Sequence, residues 1–61
     1  MSKCVEHYKE FWPAETAAEI ACECLKKAFT IYISIEDRHF MVMEGADEVT
    51  GYLPIITYGK G

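Results

Sequence analysis

The segment from Trp12 to Phe29 constrains the fold most, because its apolar residues recur at steps of three and four. This spacing places apolar side chains on one side of an α-helix, and it predicts a helix over about residues 14–28. Two signals compete for its start: Pro13 suits a first helical position, and Thr16 with Glu19 fits a capping box. The side predicted to face a core consists of Ala17, Ile20, Ala21, Cys24, Leu25 and Ala28.

A second side of this helix carries an acidic stripe of Glu15, Glu19 and Glu23, spaced four residues apart. Neighbouring carboxylates at this spacing lie about 6 Å apart, similar to phosphates along a nucleic-acid strand. Like charges four apart cost a helix stability, although Glu23 is also predicted to pair with Lys27. Two interpretations stay open: a solvated helix face, or a contact surface for the basic groove of another protein. A second acidic cluster is predicted at the exit of a hairpin: Glu44, Asp47 and Glu48.

The residues after the helix predict a small antiparallel sheet of two to three strands. Apolar and polar residues alternate over 29–36, which is typical of a strand, and a second strand is predicted over 38–44. A third is predicted over 49–58, where Pro54 requires an edge strand or a bulge. Residues 1–12 are interpreted as a short helix, with a strand as the alternative. The chain is therefore expected to form one α+β domain over residues 1–61.

The link between the first two predicted strands decides which residues share a face. A tight turn at Asp37-Arg38 or a four-residue loop both suit it. The tight turn would set Ile35 opposite Phe40 and Ile33 opposite Val42, facing the helix. The other face would then present Tyr32, Ser34, Met41 and Met43. Either the N-terminal segment or the last strand covers this face, or its Tyr32, Met41 and Met43 form a dimer or partner interface, where Tyr and Met are common.

Composition excludes several classes of function. The 61 residues carry a net charge of −4, which disfavours direct binding to nucleic acid or to an anionic membrane. The longest apolar run, 28–35, is too short to span a bilayer. So short a chain offers little material for a catalytic pocket, and its four glycines are dispersed without a phosphate-binding pattern. Neither an enzyme nor a cofactor is expected.

The three cysteines predict a reduced, cytoplasmic chain. Cys22 and Cys24 diverge on a helix and cannot readily pair with each other, while a bridge to Cys4 or to another molecule stays open. A zinc site of Cys4, His7 and one helical cysteine is an alternative, although small buried thiols are the simpler interpretation and no metal site is predicted. His39, beside the hairpin turn, is predicted to be solvated.

These observations favour a small, acidic, non-enzymatic protein that regulates or inhibits a protein partner with a basic surface. The acidic residues Glu15, Glu19 and Glu23 are its first predicted contact surface, and a nucleic-acid mimic is one form this could take. A homodimeric accessory module built on the Tyr/Met face is the alternative, because a chain of this size gains stability from a second copy.

Overall fold

The computed structural model describes residues 5–59, in which one helix packs on one face of a four-stranded sheet. The predicted α+β fold is confirmed, with one strand more than expected. The helix has 15 residues, too few for it to cross a membrane. In chain order the elements are β1 (Val5–Tyr8), α1 (Phe11–Leu25), β2 (Phe29–Ser34), β3 (Phe40–Glu44) and β4 (Tyr52–Tyr58).

The additional strand is β1, where a short helix was predicted. β1 pairs antiparallel with β3, with His7 opposite Met41 and Tyr8 opposite Phe40. A segment this short gains too few internal hydrogen bonds to be stable as a helix, whereas β3 offers it a complete ladder. The sheet order is β1-β3-β2-β4, and every neighbouring pair is antiparallel. The predicted helix is therefore wrong over residues 5–10, where the alternative of a strand is found over Val5–Tyr8; residues 11 and 12 belong to α1, and residues 1–4 lie outside the description.

The helix begins at Phe11, earlier than predicted, and ends at Leu25. Glu10 precedes it in an extended conformation, and no side chain caps the first turn. Pro13 lies in this turn, where its missing N–H would have had no helical partner. Thr16 lies inside the helix, so the capping-box interpretation is wrong.

The helix presents a different side to the sheet from the one predicted. Ala14 and Ala18 are fully buried, whereas Ile20 and Leu25 are 57% and 50% exposed. Phe11 sets this rotation, because its ring packs edge-on against Phe40 with centroids 5.5 Å apart. The small alanines let the helix lie close to the sheet. The resulting core consists of Ala14, Ala18, Phe29, Ile31 and Val42.

Four residues, 35–38, form the loop between Ser34 and His39, whose backbones are hydrogen-bonded across the hairpin. This agrees with the second of the two predicted connections, a four-residue loop. The Ser34 N–H donates to the His39 carbonyl at 2.8 Å, and the Arg38 N–H donates to the Ser34 carbonyl at 3.0 Å. Ile33 consequently pairs with Phe40 instead of Val42, a shift of two residues from the predicted register. Because side chains alternate with a period of two, this shift leaves the residues of both strands on their predicted faces. Ile35, predicted to face the helix, instead lies in the loop and is 58% exposed.

The connection 45–51 covers much of the second face of the sheet. β3 and β4 run parallel on either side of β2, so the chain between them must cross one face. The helix occupies the first face, and the connection crosses the second. The Thr30 hydroxyl donates to the Gly45 carbonyl, and the Tyr32 hydroxyl donates to the Asp47 carbonyl, both at 2.6 Å.

The last strand, β4, is an edge strand with a bulge, as Pro54 predicted. Its register against β2 shifts between Ile31 and Tyr32, and Pro54 lies opposite Tyr32. A proline and a bulge both interrupt the free edge of a sheet and discourage further strand pairing. The strand nevertheless exposes three large apolar side chains: Leu53 (55%), Ile55 (45%) and Ile56 (42%).

Candidate functional site

The acidic stripe lies on the side of α1 that is turned towards β4. The Tyr58 hydroxyl of β4 donates a hydrogen bond to Glu15 Oε2 at 3.3 Å. Beyond this contact, Glu19 and Glu23 border a groove of about 380 Å³ between the helix and the end of the strand. Gly59 forms its floor, packed so closely that a Cβ there would lie 2.5 Å from Cys22 Sγ. The structure thus brings Glu19 and Glu23 to one groove, and Glu15 contacts Tyr58, which also lines it.

The pKa of Tyr58 reflects the electrostatic environment of this groove. The pKa of its hydroxyl lies above the ordinary value of 10.0, first because partial burial disfavours the phenolate. The negative charge of Glu15 raises it further, followed by the hydrogen bond to Glu15 and the charge of Glu19. The groove therefore carries a negative potential that opposes added negative charge.

Large apolar side chains stand beside the carboxylates. Trp12 is 68% exposed, and it stands seven and eleven residues before Glu19 and Glu23, which places all three on one side of the helix. On β4, Leu53 pairs with Ile33 and Ile56 with Ile31, so both point to the helix side of the sheet. We call the combined region the α1–β4 surface: Trp12, Glu15, Glu19, Glu23, Leu53 and Ile56.

The second acidic cluster does not join this surface. Glu44 Oε2 lies 3.4 Å from Lys27 Nζ, so Lys27 pairs with Glu44 and not with Glu23 as predicted. The reason is that the helix ends at Leu25 and Lys26 turns the chain with a positive φ of 57°. Asp47 and Glu48 are exposed on the connection that crosses the second face. Glu44 thus lies on the helix side, opposite Phe29 and paired with Lys27, whereas Asp47 and Glu48 lie on the other side of the sheet from the acidic stripe.

The predicted Tyr/Met face is an interior layer in the monomer. Tyr32 is fully buried, Met41 is 4% exposed and Met43 is partly buried. The connection 45–51 covers them, whereas the N-terminal segment or the last strand had been expected to do so. Tyr32 and Met41 are thus not accessible to a partner unless this connection moves away.

The part of the second face that the connection leaves open holds a cleft that the sequence did not indicate. It has a volume of about 720 Å³ and lies beside the β2–β3 loop. His7 Nδ1 lies 3.2 Å from His39 Nε2, and the Tyr52 hydroxyl lies 3.2 Å from the same His39 nitrogen. On the other side of that ring, Asp37 Oδ2 lies 3.8 Å from His39 Nδ1. His39 was predicted to be solvated, yet only 26% of its side chain is exposed.

Nothing in the sequence pattern indicated this cluster. His7, His39 and Tyr52 come from three different strands or their flanks and lie far apart in the chain. Only the order of the strands brings them together. Once the strand register is known, His7, His39 and Tyr52 can each be assigned to the second face, and this is the one signal that could have indicated the cluster.

The zinc arrangement is not assembled among the described residues. Cys22 packs against Gly59 on the helix side of the sheet, whereas His7 lies on the opposite side. Cys22 and Cys24 are free thiols, and Cys4 lies outside the described residues. Over residues 5–59, no three histidine, cysteine or acidic side chains are grouped to hold a metal ion.

Comparison with protein-family models, with curated proteins and with solved structures gave no match.

Proposed function

We propose that this chain is a small non-enzymatic regulatory or inhibitory protein that binds a protein partner through the α1–β4 surface. The observation that carries the proposal is the exposed Trp12 standing among the carboxylates of α1, beside a strand whose apolar side chains are uncovered. Partner-binding surfaces are enriched in aromatic residues at their centre and are surrounded by a polar rim, and tryptophan is common among the residues that dominate binding.

The apolar part of the surface would supply most of the affinity. Trp12, Leu53 and Ile56 each expose more than two fifths of their surface. A chain this short has little apolar surface to bury in its core, so exposed apolar side chains cost it stability unless a partner covers them. Burial of such side chains against a partner contributes about 25 cal/mol for each Å² of apolar surface removed from water. Trp12 is the natural anchor, since tryptophan is enriched among the residues that dominate binding energy.

The carboxylates define the partner's chemistry. Glu15, Glu19 and Glu23 favour a partner with lysine or arginine opposite them, and complementary charge accelerates association more than it raises affinity. Their spacing also suits a groove that binds nucleic acid, so mimicry of nucleic acid is a specific form of the same proposal. The free thiols Cys22 and Cys24 agree with a reducing compartment such as the cytoplasm.

Two ways in which the chain could form a homodimer are disfavoured. The Tyr/Met face is covered, and strand pairing at β4 is discouraged by Pro54 and the bulge. A dimer through the α1–β4 surface itself would bring like carboxylates together unless they were offset. We therefore favour a different protein as the partner.

A pull-down from the native host separates these readings. The wild-type bait is compared with Trp12→Ala, with the double variant Glu19→Lys/Glu23→Lys, and with Glu36→Lys/Glu48→Lys as a matched charge control away from the surface. We expect a basic protein to be captured at low salt, with at least tenfold less recovered on either of the first two baits and unchanged recovery on the control. Equal losses on the control would contradict the assignment of the surface.

Two further outcomes refine the result. Loss with the lysine variant but not with Trp12→Ala would favour a charge-only mimic, because apolar anchoring would then be dispensable. A bait that sediments as a salt-resistant dimer and captures nothing else would support the homodimer instead. Circular dichroism of each bait shows whether the fold is retained, which is expected because the substituted side chains are exposed.

A further inference from the structure

The open cleft on the second face collects positive charge in a chain whose net charge is −4. Both histidines of the sequence line it, together with Lys9 and the single arginine, Arg38. Asp37 is the one carboxylate in the lining, and it faces His39 Nδ1 at 3.8 Å. A concentration of cationic side chains in one concave region of an acidic protein indicates a site for an anion.

The two imidazoles are placed to act together. His39 Nε2 is 3.2 Å from His7 Nδ1, and the ring centroids lie 5.2 Å apart. Asp37 on the far side of the His39 ring favours a proton on Nδ1, which directs Nε2 towards the cleft. An anion bound beside the two rings would favour their protonated, positively charged forms.

The remaining lining provides polar and apolar contacts for a larger ligand. Tyr52 brings its hydroxyl to 3.2 Å from His39 Nε2, and its ring stands edge-on to the His39 ring at 5.7 Å. Tyr8 borders the cleft through its backbone, because its ring lies on the helix side of the sheet opposite Phe40. A volume of about 720 Å³ exceeds what a bare inorganic ion fills and lies within the range of sites for small organic ligands.

We propose that this cleft binds a small phosphate monoester with an aromatic or other flat organic group. Its phosphoryl oxygens would accept hydrogen bonds from Arg38, Lys9 and the two histidines, while the organic group would lie against the ring of Tyr52. A phosphate suits this set better than a carboxylate does, because it offers three acceptor oxygens and close to two negative charges. A divalent cation suits it less well, since Lys9 and Arg38 would repel it.

The test is an NMR titration of the full chain with phenyl phosphate, following the imidazole signals of His7 and His39. We expect saturable shifts of both signals, and weaker binding of inorganic phosphate and of benzoate. Equal affinity for inorganic phosphate would overturn the role given to Tyr52. Equal affinity for benzoate would overturn the preference for phosphate, and the absence of saturable shifts with phenyl phosphate would overturn the site.

Two basic residues with a similar positive φ provide a matched pair of glycine variants. Arg38 and Lys26 both hold a positive φ, 61° and 57°, a conformation that glycine adopts without strain. Arg38→Gly removes a charge from the cleft and Lys26→Gly removes one from the end of α1, and neither change is expected to disturb the fold. We expect the first to weaken binding of phenyl phosphate at least tenfold and the second to leave it unchanged; equal weakening would show non-specific attraction and overturn the proposal.

A parallel titration with zinc ions separates the site from a metal centre. We expect zinc to produce no stoichiometric, saturable shift of the two histidine signals. If zinc produces such a shift while phenyl phosphate produces none, the cleft is a metal site and the phosphate proposal is wrong.

Discussion

Two adjacent residues of β2 show how differently the two faces of the sheet are buried. Ile31 and Tyr32 are both fully buried and point to opposite faces. Ile31 lies in an apolar cluster under the helix, whereas the Tyr32 hydroxyl is hydrogen-bonded to the connection that crosses the second face. The first face is closed by apolar packing, and the second by a loop whose carbonyls accept bonds from the strand.

The difference helps to explain why the cleft on the second face, about 720 Å³, is larger than the groove of about 380 Å³ beside α1 on the first. The small Ala14 and Ala18 allow the helix to pack closely at the centre of the first face. A loop must keep its own backbone groups hydrogen-bonded, so it follows Thr30 and Tyr32 and leaves the region around His39 open. In the described part of the chain, every buried side-chain nitrogen or oxygen has a partner. Hydrogen bonds of this kind fix the position of the connection, but the connection covers less of the sheet than the helix does.

The largest effect is expected on the helix face. Ile31→Ala removes a fully buried side chain from the apolar cluster, and we expect it to lower the free energy of unfolding by about 2–5 kcal/mol. For a domain of this size, such a loss leaves much of the chain unfolded at 25 °C. Urea denaturation followed by circular dichroism measures it. Ile35→Ala, at a site 58% exposed, should stay within about 0.5 kcal/mol of the wild type; a similar loss there would contradict the contrast.

A smaller and more local effect is expected on the loop face. Tyr32→Phe keeps the ring but leaves the Asp47 carbonyl without its donor, which costs about 1–2 kcal/mol. The loss should appear in hydrogen exchange of the connection, including the Tyr52 amide that donates to the Val49 carbonyl, before it appears in the helix. Tyr52→Phe is the matched control, since its hydroxyl contacts His39 and not the connection. Faster exchange first in α1 would show that the loop does not depend on this bond.

A gain in stability is expected where the helix ends. Lys26 adopts a positive φ that suits glycine, so Lys26→Gly is expected to raise the free energy of unfolding by about 0.5–1 kcal/mol. Thermal denaturation measures the change. Lys27→Gly serves as the comparison: it removes the pair with Glu44 and is expected to give no gain. If both variants behaved alike, the effect would come from charge and not from backbone conformation.

The smallest effect concerns the groove beside β4. Glu15→Gln removes a charge that raises the Tyr58 pKa, so this pKa should fall towards 10.0 while burial keeps it above that value. Because the raised pKa favours the neutral hydroxyl in the folded state, its contribution to stability is present below pH 10 and is lost as pH rises through the folded-state pKa. Ultraviolet absorbance against pH measures the shift, with Tyr58→Phe identifying the signal. An unchanged titration would show that Glu15 does not act on Tyr58 in solution.

The sequence by itself determined the main helix, the strands after it and the edge position of β4. Alternation over β2 and β3 assigned their side chains to faces, and a two-residue error in register did not change that assignment, because the period is two. Pro54 indicated an edge strand because it lacks a backbone donor. The acidic stripe was also readable, since residues four apart share one side of any helix.

Only the tertiary structure decided the rotation of the helix, the conformation of β1 and the cleft. Alanines occur on several sides of α1, so the packing of Phe11 on Phe40 selected the buried side where helical periodicity could not. The four residues of β1 have no strong local preference and become a strand because β3 supplies hydrogen-bond partners. His7, His39 and Tyr52 meet because strands distant in sequence are neighbours in the sheet, and no local pattern encodes that order.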